Sequence, residues 1–399
     1  VRRPKAGTGS PFLDDYLFFN SGNEVPANYS KFALLVMAAA LLEARVWFDW
    51  NYSTFDANLY VGLVGPQGLR KSTAAGLAKD LLLSVDDTHP FSEPIFTKEA
   101  TIRTLSQPDA KRSTTRNGTT LIYEPLTFVL FELKDSLAIN PAVPVNWLTS
   151  AYDGKGGSGS NTIKRGVEKV EKPLINLLCC ETTDWIVGKF RENILSGGIS
   201  RRLLLVVEDD YPDPIAEPKV PKGGREAYER VKKRLEFLAK AQGQSDLNAE
   251  AREWFNDWYE KKVPPPGKFA KAWYSSKHEP LLKLAMILAL ADDESYKIGV
   301  RHLKTAMALL DSIEPRMLTL VAMSGRNPLL APCYTLLGEL KKGPMAESAA
   351  RRIVFEFAAP REIEELLRHM VATRLIKMGA PDNGDRRVSL YRNGTVEKE

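Results

Sequence analysis

The segment Gly65-Pro66-Gln67-Gly68-Leu69-Arg70-Lys71-Ser72-Thr73 constrains this chain more than any other. A short apolar run, Leu59 to Val64, leads into it, and an Ala- and Leu-rich stretch with helical apolar spacing, Lys71 to Leu83, follows. Strand, glycine-bearing loop and helix in that order read as a phosphate-binding loop of the Walker A type. Glycines let backbone N–H groups curl around phosphate oxygens, a lysine reaches the β and γ phosphates, and a hydroxyl ligates Mg²⁺. Gly65, Lys71 and Ser72 take the first, seventh and eighth places of G-x-x-x-x-G-K-[ST]. The sixth is Arg70, a costly residue if that position demands a positive φ. An accidental glycine-rich turn before a helix is the bland alternative.

Such a loop predicts a second strand ending in an acid that organises Mg²⁺ and the attacking water. Thr127-Phe128-Val129-Leu130-Phe131-Glu132 supplies it: no aspartate precedes Glu132, which would orient water and, with Ser72, hold the metal. Glu124 and Asp135 are its local competitors. The run Leu174 to Cys180 ends in Glu181, Thr182 and Thr183; Thr182 there would sense the γ-phosphate, unless Thr183 or Asp184 is the N-cap of a helix before Trp185. Gly197-Gly198-Ile199-Ser200-Arg201-Arg202 leads into the apolar run Leu203 to Val207. Arg201 would project into a neighbouring subunit's ATP and stabilise the transferring phosphoryl, which implies a ring; a surface ion pair is the rival reading.

The organisation predicted is an α/β P-loop NTPase with an AAA+/RecA-like core. Residues 1–50 form an N-terminal helical cap, because Phe32 to Val46 is apolar nearly all round and Asn28 to Ser30 offer a start. Residues 51–210 form the ATPase core, with further strands at Thr119 to Ile122 and Thr127 to Phe131 and a buried, mainly parallel sheet. Residues 211–326 hold a proline-rich linker (Pro212, Pro214, Pro218, Pro221) and a helical lid without strands, ending near Pro315. Leu247, Ala251, Trp254, Phe255 and Trp258 share one of its helical faces. Residues 327–399 read as a winged helix-turn-helix: a helix through Leu336 and Leu340, a second around Ala349 to Phe357, a third opened by Pro360 with the stripe Ile363, Leu366, Leu367, Met370, Val371. Two strands, Leu375 to Met378 and Val388 to Tyr391, flank a turn-rich Gly379 to Asp385.

Composition narrows the chemistry. Three cysteines in 399 residues give no disulfide framework, and four scattered histidines give no zinc ligand set, so a metal would be held by oxygens. The apolar run Phe32 to Leu42 is short of the ~18 residues of a membrane span, and no secretory leader is evident; a reducing, cytoplasmic setting without a membrane partner is expected. The net charge is +5, and between Lys341 and Asn393 eleven Lys and Arg face seven Asp and Glu, a basic tail suited to nucleic acid.

Asn58 to Thr73, the Phe-Val-Leu-Phe-Glu-Leu run around Glu132, Tyr152-Asp153, Pro173 to Trp185 and Gly197 to Arg201 together resemble the phage- and plasmid-encoded replicative helicases of the primase-helicase type. These are P-loop ATPases similar to ring-forming AAA+ and superfamily 3 helicases, and the likeness spans residues 10–315. In that family an arginine before the Walker lysine and a lone glutamate in the Walker B strand recur. The resemblance implies an ATP- and Mg²⁺-dependent helicase or translocase that replicates a phage, plasmid or other mobile element as a homo-oligomer, a hexameric ring. Leu281 to Leu288 with His302 to Asp311 looks like an AAA+ lid, which makes Lys283 a candidate second sensor, and the tail is similar to that of minichromosome-maintenance helicases. The insert Asp153 to Lys172 would be a channel hairpin with Lys164 and Arg165 on the single-stranded DNA backbone. Arg361, Arg368, Arg374, Arg386 and Arg387 would contact double-stranded DNA. The primase-polymerase of many relatives is not found in the sequence, so priming is not expected and a separate primase is a candidate partner. Two other readings stand: an ATP-switched DNA-binding initiator or helicase loader that unwinds little, and an ATPase module of a defence or partition system whose partner is a protein.

Overall fold

The computed structural model describes residues 7–93, 96–137, 142–154, 160–162, 166–188, 198–323, 329–355, 358–382 and 385–391. Helix α1 (Pro11–Asn20) starts where Ser10 Oγ accepts the Leu13 N–H at 3.3 Å and Pro11 takes the first position, whose N–H has no helical partner anyway. Helix α2 (Ala27–Leu42) begins after Pro26, so the start expected at Asn28 to Ser30 lies inside its first turn and makes no cap. It is apolar all round because every side is covered, Phe32 to Leu42 being buried throughout. Among the described residues Ala27–Arg45 is the one helical stretch long and apolar enough to cross a bilayer, and it is enclosed within the fold. The all-helical reading of residues 1–50 is corrected at its end: Val46–Asp49 is a strand, β1, antiparallel to β2 (Thr54–Asp56). Val46, Trp47 and Phe48 are types that suit a pleated surface.

The central layer is built from β3 (Tyr60–Val64), α3 (Lys71–Leu83), α4 (Lys98–Ser106), β4 (Arg112–Arg116), β5 (Thr119–Leu130), α5 (Leu133–Leu137), α6 (Ala142–Tyr152), β6 (Ser160–Thr162), β7 (Gly166–Glu168), β8 (Pro173–Glu181), α7 (Thr183–Gly188) and β9 (Leu203–Val207). Five strands form one sheet in the order β4-β5-β8-β3-β9, all parallel except β4. Every residue of β3, β8 and β9 is buried, the signature of a parallel sheet covered on both faces. The runs expected at 119–122 and 127–131 are one strand. Its first half pairs with β4 across an Asn117-Gly118 turn, both residues at positive φ, and its second half enters the parallel sheet beside β8. Strands β6 and β7 pair with each other.

The chain then runs through a linker to α8 (Gly224–Leu238), β10 (Gly243–Leu247), α9 (Ala249–Lys261), α10 (Lys268–Ser276), α11 (His278–Asp293), β11 (Lys297–Ile298) and α12 (Val300–Met323). The expectation of a strandless lid is overturned: β10 pairs in parallel with both β1 and β11, giving a second sheet in the order β11-β10-β1-β2. Leu247 therefore ends a strand instead of sharing the α9 face. Nor does Pro315 end the lid, since it lies inside the 24-residue α12. Arg316, the next residue, reaches back to Glu208 at 2.6 Å and Asp210 at 2.7 Å, just past β9.

The tail comprises α13 (Leu330–Leu340), β12 (Met345–Ala346), α14 (Glu347–Val354), α15 (Pro360–Ala372), β13 (Ile376–Asp382) and β14 (Asp385–Leu390). It has its own core, in which Leu336, Leu340, Ala350, Val354, Ile363, Leu366, Leu367, Met370, Ile376 and Val388 pack together. Its hairpin is longer than expected, taking in Gly379 to Asp382, and β12 adds a third strand. Val371, assigned to the apolar stripe, is exposed. The whole chain is a mixed α/β protein with a mainly parallel central sheet.

Candidate functional site

Because β5, β8, β3 and β9 are parallel, their carboxyl ends share one edge of the sheet, and the crevice outside that edge is where α/β proteins bind ligands. Residues 65–70 leave β3 there and turn into α3. Gly65 is required by close approach: a Cβ would fall on the Glu208 carbonyl oxygen and lie 2.5 Å from Tyr29 Oη. Gly68 is required by its φ of +81°, since a Cβ there would meet only an ordinary contact with Tyr211 at 3.9 Å. Arg70, the residue before α3, has φ +56°, so the sixth place is indeed left-handed and arginine occupies it at a cost on the order of 1 kcal/mol. Its guanidinium is anchored on Glu24 Oε2 (Nε 3.1 Å, Nη2 2.5 Å), while Glu24 Oε1 accepts the Ile215 N–H at 2.8 Å. The Ile215 N–H and the Arg70 side chain hold the Glu24 carboxyl below the usual range. Tyr211 Oη donates to Gln67 O at 2.8 Å, Tyr29 Oη to Val64 O at 2.6 Å, and Leu69 is buried. The loop is thus clamped from the α1–α2 connection and from the linker.

Lys71 Nζ donates to Gly65 O and Pro66 O, both at 2.7 Å, which places the ammonium across the mouth of the loop. Burial lowers its pKa, opposed by the Cys180 and Glu181 side chains beside it. Pro66, Ser72 and Thr73 complete the segment; both hydroxyl residues are exposed on the first turn of α3, whose leading N–H groups have no intrahelical acceptor.

Acids close or follow three of these strands, and Glu208, just past β9, is taken up by Asn28 and Arg316. Glu132, just past β5, is exposed and paired with Lys134 Nζ at 2.7 Å. Glu181, the last residue of β8, is buried; its Oε2 accepts the Lys134 N–H at 2.9 Å and its Oε1 the Thr182 N–H at 2.8 Å. Its carbonyl oxygen accepts the Gly65 N–H at 3.3 Å. Glu181 closes an apolar run, the same signal that singles out Glu132, whereas the sequence points to its neighbour Thr182. Thr182 precedes α7 and its Oγ1 lies 3.4 Å from the Trp185 N–H, a helix-capping position that Thr183 and Asp184 had been assigned. Of the local competitors, Glu124 is buried at the far end of β8, accepting the Glu171 and Lys172 N–H groups, and Asp135 is exposed on α5.

Arg201 and Lys283 lie at the opposite edge. The register Tyr60↔Leu203 puts the turn Gly198–Arg201 at the amino end of the sheet, a β3 length or ~16 Å from the loop. Arg201 is exposed, whereas Arg202 is held by Asp153 at 2.8 and 2.6 Å. Lys283 is corrected as a sensor: it is buried, its Nζ donating to Asn58 Oδ1 at 2.8 Å, paired with Glu279 at 3.0 Å and 3.8 Å over the Tyr152 ring. Asn58 lies just before β3 and Tyr152 packs against Tyr60, its first residue, so Lys283 sits at the amino end of the sheet and does not reach the loop beyond Val64. It lines a cavity of about 340 Å³ with Arg201, Asp56, Asp153, His278 and Glu279.

Lys164, Arg165 and Gly197 lie outside the described residues. In the tail, Arg361 and Arg368 are exposed seven residues apart on α15, hence on one face; Arg374 follows the helix at φ +55°, and Arg386 and Arg387 are exposed on β14. Among the described residues none of these five forms an ion pair, in contrast to Arg351, which is held by Glu347 and Glu364. Nor does any group of three or more His, Cys, Asp or Glu side chains suited to a metal occur among the described residues. No family model and no curated protein matches the chain.

Proposed function

We propose that this chain is an ATP hydrolase that works as a ring-forming DNA helicase or translocase in the replication of a phage, plasmid or other mobile element. The observation that carries the reading is the loop Gly65–Arg70, closing β3 at the carboxyl edge of a parallel sheet and opening α3 with Lys71 across its mouth. A nucleotide triphosphate with Mg²⁺ fits the residues present. Gly65 and Gly68 keep the loop free of side chains, the α3 N-terminus favours anionic oxygens, and Lys71 supplies a cation that now rests on two loop carbonyls. Bound ATP supplies a phosphoanhydride whose cleavage drives movement. Lys71 would orient the phosphates, Ser72 and Glu132 would hold the metal, and Glu132 would align water.

Arg201 is too far from its own chain's loop to serve it and is free to serve a neighbour's, which favours a ring over a monomer. The tail, with a separate core and five exposed arginines that form no ion pair among the described residues, supports a winged-helix contact with duplex DNA. The pairing of Glu132 with Lys134 favours the second reading, an ATP-switched initiator or loader that turns over slowly. The test is hydrolysis by wild type and Lys71→Ala with and without single-stranded DNA, alongside strand displacement from a fork. The helicase reading expects DNA-stimulated hydrolysis that falls at least 100-fold in the variant. Undiminished hydrolysis in the variant refutes it, and stimulated hydrolysis without displacement selects the switch.

A further inference from the structure

We propose that Glu181 is the second carboxylate of the nucleotide site, supplied by β8 because Phe131 stands where a metal-holding aspartate would precede Glu132. The inference rests on the reading of Gly65–Thr73 as a nucleotide loop. Glu181 is the residue of β8 aligned with Val64, the last of β3, and its carbonyl oxygen takes the Gly65 N–H. Glu132 is one strand further away. The Glu181 carboxylate is held by one backbone N–H on each oxygen, and the Thr182 hydroxyl also reaches Oε1 at 3.4 Å. A carboxylate has about four acceptor sites, so these three bonds, two on Oε1 and one on Oε2, orient it and leave Oε2 with capacity for a cation or a metal-bound water.

The neighbouring groups sharpen the assignment. Lys71 Nζ rests on the carbonyl of Gly65, the residue whose N–H the Glu181 carbonyl holds, and Cys180 beside Glu181 is buried in the sheet. Glu124 shows what a purely structural carboxylate looks like here: also bound by two backbone N–H groups, but fully buried at the end of the sheet away from the loop. Through its bond to the Lys134 N–H, Glu181 also fixes the turn that carries Glu132, coupling the two acids.

Glu181→Gln keeps the size and one acceptor oxygen and removes the charge. The measurement is affinity for a fluorescent, non-hydrolysable ATP analogue with Mg²⁺ and with chelator, which reads binding and not turnover. Wild type should bind at least tenfold more tightly with Mg²⁺. In Glu181→Gln that gain should fall below twofold while affinity in chelator is unchanged or better, since a negative charge near phosphate has gone. A full Mg²⁺ gain in a folded Glu181→Gln protein overturns the proposal, whatever happens to turnover. Should that variant fail to fold, Glu181→Asp, which keeps the charge but withdraws it by one methylene, decides: a Mg²⁺ gain reduced at least threefold supports the assignment and an unchanged gain overturns it. Wild type that binds no analogue under either condition refutes the nucleotide reading itself, a result distinct from both.

Discussion

Removing the charge of Glu314 tests whether the lid and the tail are joined by one buried electrostatic knot. Glu314 sits on α12 with its side chain 1% exposed and accepts from Trp273 Nε1 at 3.0 Å, Tyr274 Oη at 2.8 Å and Lys277 Nζ at 2.6 Å; Lys341, at the end of α13, lies 3.3 Å away. Burial by itself would raise its pKa, but the Lys277 and Lys341 charges and the donated hydrogen bonds outweigh burial and hold it down at about 2. A carboxyl lowered from 4.5 to about 2 contributes about 3 kcal/mol. Because the folded value is depressed, that contribution is present above pH 4.5 and is lost as pH falls towards 2. Glu314→Gln keeps an oxygen for Trp273 and Tyr274 but leaves the Lys277 ammonium, itself 4% exposed, with only the half-exposed Asp311. Stranding a buried charge costs about 3–5 kcal/mol. Urea unfolding followed by tryptophan fluorescence at pH 7 should show the midpoint falling by on the order of 1 M. Lys277→Met combined with Glu314→Gln should recover most of the loss, because both charges leave together. A single variant within about 0.5 kcal/mol of wild type, or losses that simply add in the double variant, would refute the reasoning.

The two loop glycines should separate by mechanism: Gly65→Ala, which collides with backbone and with the Tyr29 hydroxyl, should cost at least about 2 kcal/mol, and Gly68→Ala only the ~1 kcal/mol of its φ. Thermal unfolding that ranks them the other way would overturn the distinct roles. His89 is buried with Nε2 2.8 Å from Thr127 Oγ1, and burial, its main influence, lowers its pKa to about 4. It should therefore subtract stability as pH falls from 6.5 to 4, by up to about 3 kcal/mol. Denaturation of His89→Gln across that range should give a flatter profile, and an unchanged slope would exclude His89 as the cause.

Where the chain could be read in advance, local pattern and tertiary role coincide. β3, β8 and β9 are continuous apolar runs because the sheet is covered on both faces, and the α15 stripe opened by Pro360 packs as written, apart from Val371. The misreadings came where partners are remote. β10 is Gly-Gln-Ser-Asp-Leu, with no apolar alternation; it is a strand because β1, some two hundred residues earlier, and β11 bracket it. Pro315 looks like a terminator, yet packing on both sides carries α12 through it, with the Arg316 ion pairs holding the next turn. Lys283 reads in the sequence as a candidate second sensor on a lid helix, and only the approach of Asn58, Glu279 and Tyr152 reveals it as buried. At the loop the positive φ of the sixth place was foreseeable from the motif, but its anchor, Glu24, lies 46 residues away and no spacing rule points to it.

The run of α12 past Pro315 has a mechanical consequence. From Pro315 to Met323 the helix extends about 12 Å, and Arg316 at its root grips Glu208 and Asp210, which follow β9, Glu208 also packing against Gly65. Helix α13 runs back along this segment, Thr335 lying 3.4 Å from Thr319 and Lys341 3.3 Å from Glu314, so the tail is seated against the root of α12. One turn of α12 is thus shared by the residues that leave β9, through Arg316, and by the first helix of the tail, through Glu314, so neither can shift at that point without straining the other.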